Sequence, residues 1–349
     1  MDIEEIKEAN EGRYGKKYIA KLVSEIEGAE FGSDVEVKSW ISTGNFALNK
    51  AISGDYNKGL PLGRVVDIFG DPSTGKSLII YHLLANIQKM GGIAILDDTE
   101  DAYTKEFGQT IGINNEELIK LSSLTVEEHF EKVFLGWKNS KGKNQSSLIN
   151  MILDREPNCP IVVALDSLAL LSTKHEQEVL FEKPDMIKAK QIRAGLRMCS
   201  KIMRQANVLH IISNHVTAKI GVMYGPKKTT PGGSGVPFQA SVRLDLSLGS
   251  KLKDDNDNII GVESEVYVVK NKVSAPFKKA IVDIKFDKGM IPESGLLDSL
   301  VCNGIIKEDE EKKGFFVYSN ESFRKGKFDE FLVAHPEILN ADKTHSNPL

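Results

Sequence analysis

The sequence predicts an α/β fold organised on a mostly parallel central sheet, and three observations predict it. First, Gly70-Asp71-Pro72-Ser73-Thr74-Gly75-Lys76-Ser77 matches the phosphate-loop pattern G-x-x-x-x-G-K-[ST]. It stands between a buried-strand run, residues 64–69, and a helix-forming stretch, residues 77–90, that lacks Gly and Pro. Second, apolar runs at 93–96, 160–165 and 208–212 alternate with helical segments, as in parallel sheets. Third, each run ends in polar residues: Asp97-Asp98-Thr99-Glu100, Asp166-Ser167 and Ser213-Asn214-His215. Ligands of such sheets gather at the carboxyl ends of the strands, where these residues fall.

At 349 residues the chain is long enough for a large core, and one main domain with appendages is expected. Charged residues are 27% and hydrophobic ones 41%, the balance of an ordinary globular protein. A net charge of −4 gives no whole-chain sign of a nucleic-acid binder. Cys159, Cys199 and Cys302 have no ligand spacing, which predicts a reducing compartment without disulfides or zinc. The acidic start, Met1-Asp2-Ile3-Glu4-Glu5, does not read as a signal peptide. No apolar run has the length of a membrane span, so a cytoplasmic location and no membrane partner are expected.

In chain order, residues 1–35 read as a helical arm, with Ile19, Leu22, Val23 and Ile26 at helical spacing. The arm either packs on its own domain or docks on a neighbouring subunit. A short helix at 45–52, a polar turn and Leu60-Pro61-Leu62-Gly63 lead into the phosphate-loop strand. A helix follows near 103–110. Residues 266–272 form a strand in which Lys270 and Lys272 share a face. These lysines are either surface charges or ligands of a phosphate across a subunit boundary. From Gly295 a small module is expected: helix at 296–301, strand at 314–318, helix at 328–334, and a frayed end from 340 to 349. The domain division is 1–35, 36–290 and 291–349.

The chemistry concentrates at the loop and strand ends. Gly70 and Gly75 let the backbone turn its N–H groups toward a polyphosphate, and the following helix adds its positive end. Lys76 is expected at the β- and γ-phosphates of ATP and Ser77 at Mg²⁺; Asp71, Pro72, Ser73, Thr74 and Leu78 complete the loop. Asp166 fits the acid that holds Mg²⁺ directly or through water. Its plainer reading is a helix-capping Asp at a strand-helix turn. Glu100 is a candidate base for activating water, with Asp97, Asp98 and Asp101 competing on spacing alone. Asn214 and His215 are candidates for contact with the γ-phosphate.

Charge is segregated. Residues 186–244 contain no Asp or Glu but ten basic groups. Lys190, Arg193, Arg197, Lys201 and Arg204 are spaced 3, 4, 4, 3 and so line one helix face. Residues 216–235 hold five glycines, two prolines and three lysines, too glycine-rich for regular structure. A basic loop beside a nucleotide sensor suits a phosphate backbone; the plainer reading is a solvated basic face.

Seven segments, in this order, resemble the bacterial RecA recombinase family. They are Ile41-Ser42-Thr43-Gly44, Gly59-Leu60-Pro61-Leu62-Gly63-Arg64, the phosphate loop, Leu165-Asp166-Ser167, residues 219–225, residues 240–245 and residues 268–278. The resemblance runs from about Ile41 to Asp298, and the short chain with a divergent middle is similar to the phage-encoded branch.

The resemblance implies a DNA-dependent ATPase that forms a helical filament on single-stranded DNA, pairs it with homologous double-stranded DNA and exchanges strands. It implies ATP and Mg²⁺ as cofactors, and roles in recombination, repair and the SOS response to DNA damage. A single-strand-binding protein and a loading mediator join the expected partners. Carried over by position, Glu100 becomes the water-activating base, Phe107 stacks on adenine, and Lys76, Ser77 and Asp166 keep their roles. Residues 177–186 match a first DNA-binding loop and 216–232 a second, with Lys219, Ile220, Gly221, Val222, Met223, Tyr224, Gly225, Lys227, Lys228, Gly232 and the adjoining Gly233 as contacts. Lys190 and Arg197 match basic residues near the DNA. Phe238 matches a subunit contact, and Lys270 and Lys272 match lysines that reach the ATP of the adjacent subunit. The arm reads as a subunit-docking helix.

Three departures stand out. His215 occupies a sensing position that is usually Gln. The first loop, with Phe181, Lys183 and Pro184, differs from the cellular pattern. No acidic tail ends the sequence, so regulation by one is not expected. A hexameric RecA-fold helicase and a non-hydrolysing recombination scaffold are the rival readings.

Overall fold

The structure, a computed structural model, describes residues 21, 23–26, 37–179, 187–218 and 228–344. The chain forms two compact units, Met1–Lys38 and Ser39–Leu349. In the first, residues 21 and 23–25 are helical, and Lys21 lies 3.9 Å from Glu25 one turn on. Apart from the exposed Ile26, the rest of the expected arm lies outside the described residues, as do residues 180–186 of the first expected loop and 219–227 of the second.

The second unit is built on nine strands: β1 (Val65–Gly70), β2 (Ile93–Asp98), β3 (Leu118–Leu121), β4 (Ile161–Asp166), β5 (Val208–His215), β6 (Val242–Lys253), β7 (Ile259–Asn271), β8 (Lys279–Lys285) and β9 (Gly289–Met290). They form one sheet in the order β9-β8-β7-β6-β1-β5-β4-β2-β3. Neighbours from β6 to β3 run parallel, and β7, β8 and β9 extend the sheet antiparallel. The apolar runs predicted as strands are these parallel strands. The strands also continue through their polar endings, because the pairing persists to Asp98↔Asp166 and Gly70↔His215.

Side-chain alternation splits the core into two layers. Val66, Ile68, Ala94, Leu96, Val162 and Ala164 face helix α1 (Lys76–Lys89), which contributes Ile79, Ile80, Leu83 and Ile87. Val65, Ile95, Val163, Leu165 and Ile212 face helices α2 (Val126–Phe130) and α3 (Ile187–Gln205). α1 begins and ends one residue earlier than the expected 77–90. The short helix is Phe46–Ser53 rather than 45–52, because Asn45 stays outside as a cap: its Oδ1 accepts the Leu48 N–H at 2.8 Å.

The C-terminal elements appear where expected, as Leu296–Cys302, Phe315–Tyr318 and Phe328–Ala334. They bury a cluster of their own, but that cluster includes Tyr56 and belongs to the same compact unit. Of the end expected to fray, 340–349, the first five residues belong to a 3₁₀ helix, Pro336–Thr344, anchored by the fully buried Ile338, and 345–349 lie outside the described residues. In the glycine-rich segment expected to lack regular structure, Thr217–Ala218 pairs with Lys228–Thr229 and brackets the undescribed stretch. Among the described residues no helix is long and apolar enough to cross a membrane.

Candidate active site

The carboxyl ends of β1, β2, β4 and β5 meet at one cavity of about 490 Å³. Its walls include Pro72, Ser73, Gly75, Lys76, Ser77, Leu78, Glu100, Phe107, Asp166 and His215. Two glycines shape the loop. A Cβ on Gly70 would stand 2.2 Å from the Leu246 carbonyl oxygen, and one on Gly75, where φ is +92°, would stand 2.4 Å from Ile284 Cδ1. Gly75 also caps α1 without a side-chain hydrogen bond, so the helix start faces the cavity with its positive end uncovered.

Lys76 folds back on its own loop, donating to the carbonyls of Gly70 (3.0 Å) and Asp71 (2.8 Å). Burial pulls its pKa down, and the carboxylates of Asp166, Glu100 and Asp71 pull the other way. A phosphate oxygen replaces such carbonyls as a stronger acceptor.

Asp166 is 4% exposed, and burial pushes its carboxyl above the usual range. The hydroxyls of Ser77 and Ser213 favour the charged form, whereas Glu100 and Asp98 push the same way as burial. The Ser167 hydroxyl lies by Glu100 and that of Ser213 by Asp166, near enough to favour each charged form but without the geometry of a full hydrogen bond. A buried carboxylate short of positive charge, beside hydroxyls that are not fully bonded, fits a hard divalent cation with its water shell. Thr99 clips this corner together: its N–H donates to Asp166 O, its hydroxyl donates to Ser167 O and accepts from Ser167 N–H, each at 2.8 Å. The next residue is Glu100.

Glu100 Oε1 lies 2.9 Å from His215 Nε2. Burial alone would raise the Glu100 carboxyl, but Ser167, His215 and Lys76 outweigh it and hold the group below its ordinary value. Its three acidic neighbours point elsewhere. Asp97 is fully buried against His129, Asp98 pairs with Lys120 at 3.2 Å and accepts from the Ala102 and Tyr103 N–H groups, and Asp101 pairs with Lys120 at 3.1 Å. Of the four, Glu100 alone lines the cavity.

Phe107 packs edge-on to Tyr81, with ring centroids 6.1 Å apart. The same cavity is lined by residues that the sequence reading missed: Val262, Ile284, Lys285 and Phe286. They come from β7, β8 and the turn beyond, some 200 residues after the loop. The one local signal was Phe286, an aromatic side chain closing an alternating strand, and it does not point to a nucleotide by itself.

Asn214 does not line the cavity. Adjacent strand residues point to opposite faces, so with His215 at the cavity, Asn214 is buried on the other side, its Nδ2 a long 3.5 Å from Asp67 Oδ1. Asp67 is held by the Nε–H of Arg243 at 2.8 Å, and the Arg243 guanidinium stacks 4.4 Å over Phe69.

Lys270 and Lys272 also stay outside the cavity of their own chain. Lys270 Nζ donates to the carbonyls of Pro237 (2.6 Å) and Phe238 (3.0 Å), and Lys272 Nζ lies 3.5 Å from the latter. The Phe238 ring is 74% exposed, so the three form one surface patch. On α3, Lys190, Arg193, Arg197, Lys201 and Arg204 are exposed opposite the buried Ile192, Leu196, Cys199 and Met203. Arg193 donates to the Ser234 hydroxyl at 2.8 Å. Gly232 and Gly233 both adopt positive φ, +89° and +67°. Lys228 is described only as part of the short pairing with Ala218, and Lys219, Ile220, Gly221, Val222, Met223, Tyr224, Gly225 and Lys227 lie outside the described residues.

Comparison with known proteins is consistent across the chain. The model of the RecA N-terminal domain matches residues 2–291. The RecA protein of Phytoplasma mali (strain AT) is 34% identical over 344 residues, covering 97% of this chain and 91% of the relative. That of Rickettsia canadensis (strain McKiel) is 33% identical over 333 residues, covering 95% and 88%.

Proposed function

The chain belongs to the RecA family, and on that premise we infer that it is an ATP-dependent recombinase, a DNA-dependent ATPase that assembles on single-stranded DNA and pairs it with homologous duplex. Recombination, DNA repair and the SOS response are its setting. The observation that carries the catalytic reading is the convergence of Lys76, Ser77, Glu100, Asp166 and His215 on one cavity.

In this reading ATP occupies the cavity with its phosphates at the loop and the start of α1. Lys76 exchanges its loop carbonyls for phosphate oxygens and stabilises charge that develops there. Ser77 and Asp166 hold Mg²⁺, which supplies positive charge to the polyphosphate. Glu100 orients and deprotonates the attacking water, and His215, in contact with Glu100, registers the γ-phosphate. Asn214 supports the site from the far face of β5. Phe107 and Phe286 border the base. Lys270, Lys272 and Phe238 form the patch that a neighbouring copy meets, which supports the filament interface and a shared nucleotide. The exposed basic face of α3, with Lys190 and Arg197, and the segment 216–233 serve DNA.

The divergent middle of the sequence, with Phe181, Lys183 and Pro184, supports the phage-encoded branch; the division into arm, core and C-terminal module, a cytoplasmic location, and work alongside a single-strand-binding protein and a loading mediator go with the family reading. ATP turnover with and without single-stranded DNA tests this reading. Stimulation by DNA supports it; turnover indifferent to DNA removes it, negligible turnover returns the chain to the scaffold reading, and closed rings that unwind forks to the helicase one.

A further inference from the structure

Away from the cavity, one group of titratable side chains is completely buried: Asp97, His129 and His210. Asp97 on β2 and His210 on β5 sit on the same face of the sheet, separated by β4, where Leu165 pairs with Asp97 and Val163 with His210. His129 reaches down from α2 and bridges them. Its Nδ1 is 2.7 Å from Asp97 Oδ2 and its Nε2 is 3.1 Å from His210 Nε2. Asp97 Oδ1 accepts the Ser123 N–H at 2.8 Å. The two imidazoles stack with centroids 5.1 Å apart, and Phe130 and Phe134 enclose them.

The proton count is constrained. A carboxylate only accepts, so His129 donates from Nδ1. Two ring nitrogens at 3.1 Å share one proton, and His210 Nδ1 is left without a partner. Burial, then the neighbouring His129, push His210 well below the ordinary imidazole range, whereas His129 and Ser123 outweigh burial and keep Asp97 ionised. Such a network inside an apolar layer is a poor adhesive: an apolar set of similar volume is commonly as stable or more so.

Its position suggests what it does. α2 and the residues flanking it hold the segment that follows β4: the Val126 N–H donates to Ser172 O (2.9 Å), the Ser172 N–H donates to Leu124 O just before α2 (3.0 Å), and Lys174 pairs with Glu131 just after it at 2.8 Å. That segment leads toward the first expected DNA loop. α2 also seats Phe130 in a notch of α3, where a Cβ on Gly195 would stand 2.2 Å from the ring. Asp97 lies three residues before Glu100, and His210 five before His215.

We propose that Asp97, His129 and His210 are positioning residues for ATP hydrolysis: a buried polar joint through which the seating of α2, and with it the DNA-side segments, sets the placement of Glu100 and His215. The proposal rests on the recombinase reading. The test is the triple variant Asp97→Leu, His129→Leu, His210→Leu, compared with wild type for melting temperature, ATP KM and kcat with saturating single-stranded DNA. Expected are a folded protein, a KM within about twofold of wild type, and a DNA-stimulated kcat at least about tenfold lower. A folded triple variant with wild-type stimulated kcat overturns the proposal and leaves the network as packing. If the triple variant does not fold, His129→Gln is compared with His129→Leu. Gln retains a donor for Asp97 and an acceptor for His210, so its stimulated kcat stays near wild type while that of the Leu variant falls; equal values overturn the proposal. A wild-type enzyme indifferent to DNA would instead remove the recombinase reading, so the two failures are distinct.

Discussion

Glu100 and His215 touch across the width of β4: Oε1 of one is 2.9 Å from Nε2 of the other, joining the ends of β2 and β5. The Glu100 carboxyl is held below its ordinary value and is ionised across the neutral range. The imidazole therefore orients the carboxylate from the far strand. His215→Ala, which removes that partner, is expected to lower DNA-stimulated kcat about tenfold. An unchanged DNA-stimulated kcat in the variant would sink the idea.

Glu100→Gln removes the base and keeps the shape. Turnover in the presence of single-stranded DNA falls by about a hundredfold or more. ATP binding and DNA binding, measured by fluorescence titration, remain near wild type. Loss of both bindings would show that Glu100 holds the fold of the site instead.

Gly75 and Gly91 separate backbone strain from collision. Both have positive φ, +92° and +74°, but a Cβ on Gly91 meets nothing within 4 Å. Gly91→Ala costs about 1–2 kcal/mol of stability with no change in ATP KM. Gly75→Ala adds a collision with Ile284 and weakens ATP binding at least about tenfold by displacing the loop. Equal ATP affinity in the two variants would contradict this account.

Phe286→Ala opens one wall of the cavity that Phe107 also lines. Loss of one aromatic contact with a base, about 0.5–1.5 kcal/mol, raises ATP KM about two- to tenfold and leaves kcat unchanged. A lowered kcat at constant KM would place Phe286 in the chemistry.

Lys190 and Arg197 differ from the cavity residues in the quantity they affect. Each phosphate contact removed lowers the slope of log affinity against log salt by about 0.7 on a single strand. Lys190→Ala and Arg197→Ala are expected to do this additively, without altering ATP KM in the absence of DNA. An unchanged slope would reduce α3 to a solvated basic face.

What could be read from the sequence follows from the range of each interaction. The phosphate loop is local: strand, glycine turn and helix are consecutive, and 64–90 needed only a one-residue shift of the helix. The polar strand endings were legible because parallel pairing aligns carboxyl ends. Spacing alone did not say which acid faces the cavity, and it took the family resemblance to pick Glu100: Asp97, Asp98, Glu100 and Asp101 differ by where the chain turns after β2, and Thr99 fixes that turn through Ser167 just past the end of β4. Asn214 and His215 looked equivalent in sequence, but a period of two separates them. Ile284, Lys285 and Phe286 reach the site only through the antiparallel extension of the sheet, which leaves no local pattern. His129 and His210 were silent for the same reason: one is a lone histidine on a charged helix, the other a lone histidine in an apolar strand, until the fold brings them to 3.1 Å.

Lys270 and Lys272 grip carbonyls of Pro237 and Phe238 and leave the cavity of their own chain without them. If those lysines serve the next copy's nucleotide, a row of n copies contains n − 1 complete cavities. One terminus always shows unused lysines and the other an uncovered loop. The row then has a direction, and its two termini can be extended or shed by different chemistry. On that condition hydrolysis per subunit is expected to climb with row length, and a solitary copy on a short oligonucleotide to stay nearly idle.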